Sequence, residues 1–235
     1  MFTVRLCGLD VQIDNRYSHV ERLCRDYVVP TAAPLFRVRV TETEVEAYRA
    51  ACGRALTAAE AESALLYRAI CGRLPAYDAL LLHAAAFRMD GRGYAVSAAR
   101  GVGKTTHLQA WKEIAGDRLT VINGDKPLLR RGSDGHWRVY GTPWCGKEGE
   151  QANTSCPLNA ILFLERGQVN TVTPSRPENT AAGLLTATIL PPTPTLRERM
   201  ADLTGRLVRE VPAYRITCLP DRTAAEAVYE ALSRL

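Results

Sequence analysis

A chain of 235 residues with 46% hydrophobic and 23% charged positions is long enough to bury a real core and too apolar to be disordered. Its formal charge of +5 is spread without a dense basic run, so no nucleic-acid partner is expected, and no apolar run reaches the length of a membrane span. The seven cysteines form no CxxC pair and no zinc spacing, and the charged, alternating N-terminus is no signal peptide; reduced, buried thiols in a cytoplasmic protein are the expectation.

In chain order, FTVRLCGLDVQI reads as two strands turning around Gly8–Leu9, and SHVERLCRDYVV as a short helix from Ser18. LFRVRVTET alternates as a strand behind a loop bracketed by Pro30 and Pro34. TAAEAESALLYRAICGRL is an amphipathic helix with a Thr57/Glu60 capping box, and Pro75 ends it. ALLLHAAAF is a nearly unbroken apolar run, the pattern of one strand buried on both faces. After a DGRG turn come the strand YAVSA, the helix KTTHLQAWKEIA and the strand of DRLTVINGD. SDGHWRVYGTPW reads as a hairpin running into a loop, and LNAILFLER as another buried strand. The helices TAAGLLTATIL and TLRERMADLTGRLVREV flank PPTPT, and the strand AYRITCL leads to a closing helix capped by Thr223. The expected class is α/β, with a small N-terminal α+β subdomain over 1–75 joined closely to an α/β core over 76–235.

The strand–turn–helix around SAARGVGKTT is the context in which a chain holds phosphates. Amide groups at a helix start wrap anionic oxygens, and glycines let the backbone come close and take positive φ. Gly101, Val102, Gly103, Lys104, Thr105 and Thr106 form this stretch. Lys104 would reach terminal phosphates and Thr105 would ligate Mg²⁺; Arg100 either contacts phosphate oxygens or points to solvent. Ala98 stands where the GxxxxGK[ST] pattern has its first glycine. Asp125 ends an apolar strand about twenty residues after Lys104, where strand ends face the ligand crevice of such sheets. It either holds Mg²⁺, accepts a proton, or is an ordinary turn aspartate.

His83, alone in its apolar run, is either a core histidine or part of the site. GTPWCGKEGEQANTS would close over a substrate through Trp144, Lys147 and Glu148, or be a surface loop anchored by its tryptophan. His107 and Trp111 share a helix face and read first as packing. Glu165–Arg166 end a strand at ligand level or form a surface ion pair. Cys145 has no local histidine partner and does not read as a nucleophile.

His83 in LLLHAAAF, then SAARGVGKTT, then Asp125 in INGDK follow an order that resembles the catalytic domain of HPr kinase/phosphorylase. They also resemble its smaller relatives, which include kinase homologues of modified-peptide biosynthesis. The likeness spans roughly residues 75 to 170 and extends through VPAYRITCLPDRTAAEAVYEAL. It implies the P-loop core shared with phosphoenolpyruvate carboxykinase, with ATP and Mg²⁺ as cofactors. A serine of a peptide or protein is the implied acceptor, and a small-molecule hydroxyl is the other form the acceptor takes. His83, Lys104 and Asp125 are the catalytic residues it implies, with His83 orienting Asp125. Lys126 stands where the family has the second acid of a pair. No segment resembles the part of the family that docks HPr, so neither HPr nor the reverse reaction is implied. A nucleotide-binding regulatory module without turnover and a carboxykinase-like lyase are the competing readings.

Overall fold

The computed structural model describes residues 1–30, 33–53, 55–99, 101–219 and 222–233. Strands β1 (Phe2–Leu6) and β2 (Leu9–Asp14) form the expected hairpin, with the turn one residue earlier, at Cys7 and Gly8, both at positive φ. Helix α1 (Ser18–Leu23) follows, and β3 (Phe36–Arg39) pairs parallel with β2. The carboxylate of Glu62, fully buried, accepts from the amides of Arg16 and Tyr17 and so satisfies donors just before α1. Helix α2 (Glu42–Ala51) was absent from the sequence expectations, although Thr41 and Glu44 form a full capping box. Helix α3 (Ala58–Cys71) has the expected Thr57/Glu60 box. It stops at Gly72, and Pro75 lies beyond it in a 3₁₀ turn over Leu74–Tyr77.

The main sheet is nine-stranded and mixed. ALLLHAAAF is not one strand. It breaks at Leu82–His83 into β4 (Ala79–Leu81) and β5 (Ala84–Met89), which pair with different neighbours. Strand β5 turns through Asp90–Gly91 into β6 (Arg92–Ala98), antiparallel as the short loop requires. Helix α4 (Lys104–Ala115) leads to β7 (Leu119–Asn123), which pairs antiparallel with the far side of β5. Strands β8 (Leu128–Arg131) and β9 (Trp137–Tyr140) form the next hairpin. The long β10 (Ser155–Arg166) meets β9 through its first residues and runs parallel to β6 beyond them. Strand β11 (Thr171–Pro174), helices α5 (Pro177–Thr186) and α6 (Pro194–Glu210), β12 (Ala213–Cys218) and α7 (Arg222–Ser233) complete the chain. Thr223 lies inside the first turn of α7 rather than at its cap, and its Oγ1 accepts from Asn170 Nδ2 at 2.7 Å.

Both faces of this sheet are covered, which explains the continuous apolar strands. On β5, Ala85, Phe87 and Met89 point to a cluster with Leu108 and Trp111 of α4 and Val228 of α7. Ala84 and Ala86 point the other way, to Leu184 of α5 and Leu203 and Leu207 of α6. The cluster under the N-terminal sheet reaches past residue 75 to take in Ala79, Leu81, Leu128 and Trp144, so the expected subdomain and core share one apolar interior. Cysteines 7, 24, 71, 145, 156 and 218 are buried, all seven are free, and burial pushes the Cys24 thiol up to about 12. No helix among the described residues is long and apolar enough to cross a membrane.

Candidate active site

Strand directions bring the candidate residues together. Strands β6 and β7 both run antiparallel to β5, so they share a direction, and their carboxyl ends lie on the edge where β5 begins. The glycine loop follows β6, Asp125 follows β7, and His83 immediately precedes β5. One sheet edge thus collects residues that are 42 positions apart in the chain. The backbone of His83 is fixed on both sides: its N–H donates to Ala187 O at 2.7 Å and its carbonyl accepts from Ser97 Oγ at 3.1 Å. The imidazole is therefore held at the edge and is no core group; its side chain is 42% exposed.

His83 Nε2 lies 3.0 Å from Asp125 Oδ1 and 2.9 Å from Lys104 Nζ, and Lys104 Nζ lies 3.8 Å from Asp125 Oδ1. Lys126 Nζ pairs with the other carboxylate oxygen, Oδ2. Burial alone would raise the Asp125 pKa, but hydrogen bonds from His83 and Lys126 outweigh it and hold the carboxyl well below the usual range. Burial lowers the pKa of Lys104, against the attraction of Asp125. Two ammonium groups and an imidazole thus crowd one carboxylate, an arrangement that attracts further negative charge.

The glycine loop supplies the amides. Gly101 and Gly103 have φ of 79° and 122°, values that L side chains rarely adopt. Gly103 is the N-cap of α4, so no side chain caps the helix. Amides of its first turn, with Thr105 and Thr106 exposed beside them, are available to an anion. Arg100 lies outside the described residues. From the end of β10, Arg166 donates through Nη2 to Gly101 O at 2.6 Å.

Lys147 and Glu148 are exposed on the loop beside Asp125, where a Cβ on Gly146 would stand 3.1 Å from the Asp125 Cβ. Trp144 points away from this opening. It stacks on Tyr67 with centroids 4.2 Å apart, donates to Ser63 Oγ at 3.0 Å and is buried, so it anchors the loop to the N-terminal part instead of facing a substrate. His107 and Trp111 are both buried, joined by Trp111 Nε1 to His107 Nε2 at 3.0 Å, and they pack as expected.

Two supports were not read from the sequence. Asn123, fully buried, accepts through Oδ1 from the amides of Asp125 and Lys126. Its Nδ2 donates to Thr142 O, Thr142 Oγ1 and Trp144 O. That one side chain shapes the turn carrying Asp125. Glu150 accepts from Lys112 at 2.6 Å and from Gln109 at 3.3 Å, while its carbonyl accepts from Gly124 N–H at 2.9 Å. It ties α4 to the Asp125 turn. An asparagine two residues before a strand-end acid is the available clue to the first; the second carries no local signal.

Among the described residues no group of three or more His, Cys, Asp or Glu could hold a metal ion by itself. Cavities of about 360 and 400 Å³ lie around Glu210–Val211, near the starts of β10 and β12, on the edge opposite the glycine loop. They are separate from the cluster described above.

No family model matches the sequence, and no curated protein does. Among solved structures, the Hpr(Ser) kinase/phosphatase from Coxiella burnetii is similar, with a TM-score of 0.39 and 8% identity, covering 66% of this chain and 97% of that one.

Proposed function

We propose that this chain is an ATP-dependent kinase of the HPr kinase-like kind that transfers a phosphoryl group to a hydroxyl, a serine of a peptide or protein. The carrying observation is the juxtaposition of an uncapped, glycine-led helix start with Lys104, His83 and Asp125 on one sheet edge. Loop amides of Gly101 and of Gly103 to Thr106 cradle the phosphates, and Lys104 neutralises charge on the transferring group. The acceptor oxygen bonds to the γ-phosphorus as the bond to the bridging oxygen breaks and ADP departs. A carboxylate held ionised by its neighbours is a better ligand than base. Asp125 therefore orients the acceptor or binds metal, and the hydroxyl proton passes late to an oxygen of the transferred phosphoryl group and on to solvent, as a loose transition state allows. His83 holds the Asp125 carboxylate in place.

Mg²⁺ bound with nucleotide needs only one or two protein ligands besides phosphate and water oxygens. Asp125 and Thr105 are a donor set of that size, provided Lys126 releases Oδ2. When bound, Mg²⁺ neutralises phosphate charge. The Lys126–Asp125 pair also favours a second reading, a nucleotide-binding module without turnover. Incubation with Mg²⁺-ATP and serine-containing peptides, scored for ADP and for a phosphorylated product, separates the two. Tight nucleotide binding with no ADP release against any hydroxyl acceptor supports the module; absence of nucleotide binding overturns both.

A further inference from the structure

We propose that Arg166 is a positioning residue that holds the glycine loop in its anion-binding shape, an inference that rests on the phosphate-binding reading above. Arg166 is the last residue of β10, and the strand end is itself tied down. Leu164 registers with Ala98 of β6, Arg166 registers with Cys218 of β12, and the Gly167 amide donates to Cys218 O at 2.9 Å. From that fixed base the guanidinium crosses to the loop that follows β6. Nη2 donates to Gly101 O at 2.6 Å, and Nε lies 3.5 Å from Val102 O. Its neighbour Glu165 is spent elsewhere, on Arg215 at 2.6 Å. Among the described residues Arg166 has no carboxylate partner, and its guanidinium is directed at the loop carbonyls.

The consequence follows from peptide planarity. In a trans peptide the C=O and the next N–H point in opposite directions. Drawing Val102 O toward Arg166 turns the Gly103 N–H away from it, and drawing Gly101 O does the same for Val102 N–H. The latter closes the turn onto Ala99 O at 3.2 Å. Both glycines sit at positive φ, where the backbone has many alternatives. A loop with that freedom loses entropy when it closes on an anion. A charge-assisted hydrogen bond from a rigid strand removes part of that cost in advance.

The test uses the full chain with Arg166→Ala, Arg166→Gln and Arg166→Lys. A fluorescent ATP analogue is titrated with Mg²⁺, thermal melting is followed, and amide exchange is measured over residues 101–106 with and without ATP. Arg166→Ala and Arg166→Gln are expected to weaken nucleotide binding about tenfold, the order of one charge-assisted hydrogen bond. Melting should stay within about 2 °C of the parent, as for an exposed side chain. ATP should slow exchange at Gly103 and Lys104 in the parent much more than in Arg166→Ala. Arg166→Lys should recover part of the affinity, since an ammonium can still reach one carbonyl. Parent-like affinity and exchange in Arg166→Ala overturn the proposal while leaving the phosphate reading intact. A lower affinity that comes with a large melting loss and no recovery in Arg166→Lys also overturns it, because Arg166 is then a packing residue. If the parent chain binds no nucleotide, the phosphate reading itself fails.

Discussion

Replacing Asp125 with asparagine keeps the shape of the side chain and removes the charge that three neighbours face. Lys104 Nζ stands 3.8 Å from Asp125 Oδ1 with its side chain only 13% exposed, and the Asp125 side chain is 22% exposed. At an effective dielectric of about 20, a unit pair at that separation attracts by roughly 4 kcal/mol. Asparagine recovers only the desolvation of the carboxylate and leaves the Lys104 ammonium desolvated without its partner, so a net destabilisation of about 3 kcal/mol is expected, or roughly 6–12 °C in Tm for a chain of this size. The sign of the pH dependence is set by the lowered Asp125 pKa, which burial opposes and the hydrogen bonds from His83 and Lys126 bring about. A carboxyl lowered on folding contributes stability that is present above its unfolded pKa of about 4 and is lost as pH falls through the folded value. The melting gap between the parent and Asp125→Asn should therefore be full at neutral pH and shrink below about pH 4. Turnover should fall at least about a hundredfold, the order of losing a group that positions the acceptor or the metal. Differential scanning fluorimetry across pH, with an ADP-release assay at neutral pH, makes both measurements. An Asn variant that melts like the parent at pH 7 and turns over within a few-fold of it refutes the reasoning: Asp125 would then be a turn residue whose cations find other partners.

Lys104→Ala should abolish ADP release while leaving the melting temperature nearly unchanged, because Asp125 keeps its hydrogen bonds with His83 and Lys126; parent-like turnover would remove Lys104 from the site. His83→Gln should stay within about 1 kcal/mol of the parent in stability, since the imidazole is outside the core, yet lower turnover sharply. Early melting with full activity at low temperature would make it a structural residue. Trp144→Ala should cost about 3–5 kcal/mol by emptying the space against Tyr67, measured by urea unfolding; a loss under about 1 kcal/mol would show that the loop is not anchored there. Burial lowers the His107 pKa to about 4, so the unfolded chain binds the extra proton first as pH falls below about 6.5. Stability should therefore decline from about pH 6.5 to pH 4, by at most about 3 kcal/mol from this group, and His107→Gln should flatten that limb in pH-dependent unfolding.

Much of the local structure was legible in the chain. The Thr57/Glu60 box set the start of α3, and the change from apolar run to glycine turn to helix located β6 and α4. Caps, turns and hydrophobic period act over a few residues, and sequence displays them directly. The Thr41/Glu44 box is just as visible, but the alternating LFRVRVTET runs straight into it, and that strand pattern hides the start of α2. Other features have no local trace. The break at Leu82–His83 exists because β4 and β5 answer to different partner strands, and a continuous apolar run looks the same whether it is one strand or two. The insertion of β5 between β6 and β7 decides that His83 meets Lys104 and Asp125 on one edge. Packing turned Trp144 inward and sent Arg166 to the glycine loop, through contacts spanning 81 and 65 residues. Residue type and spacing announced the chemistry that could occur, and the pairing of distant strands decided which side chains would share it, because pairing is settled by the burial of both sheet faces together and by no single segment.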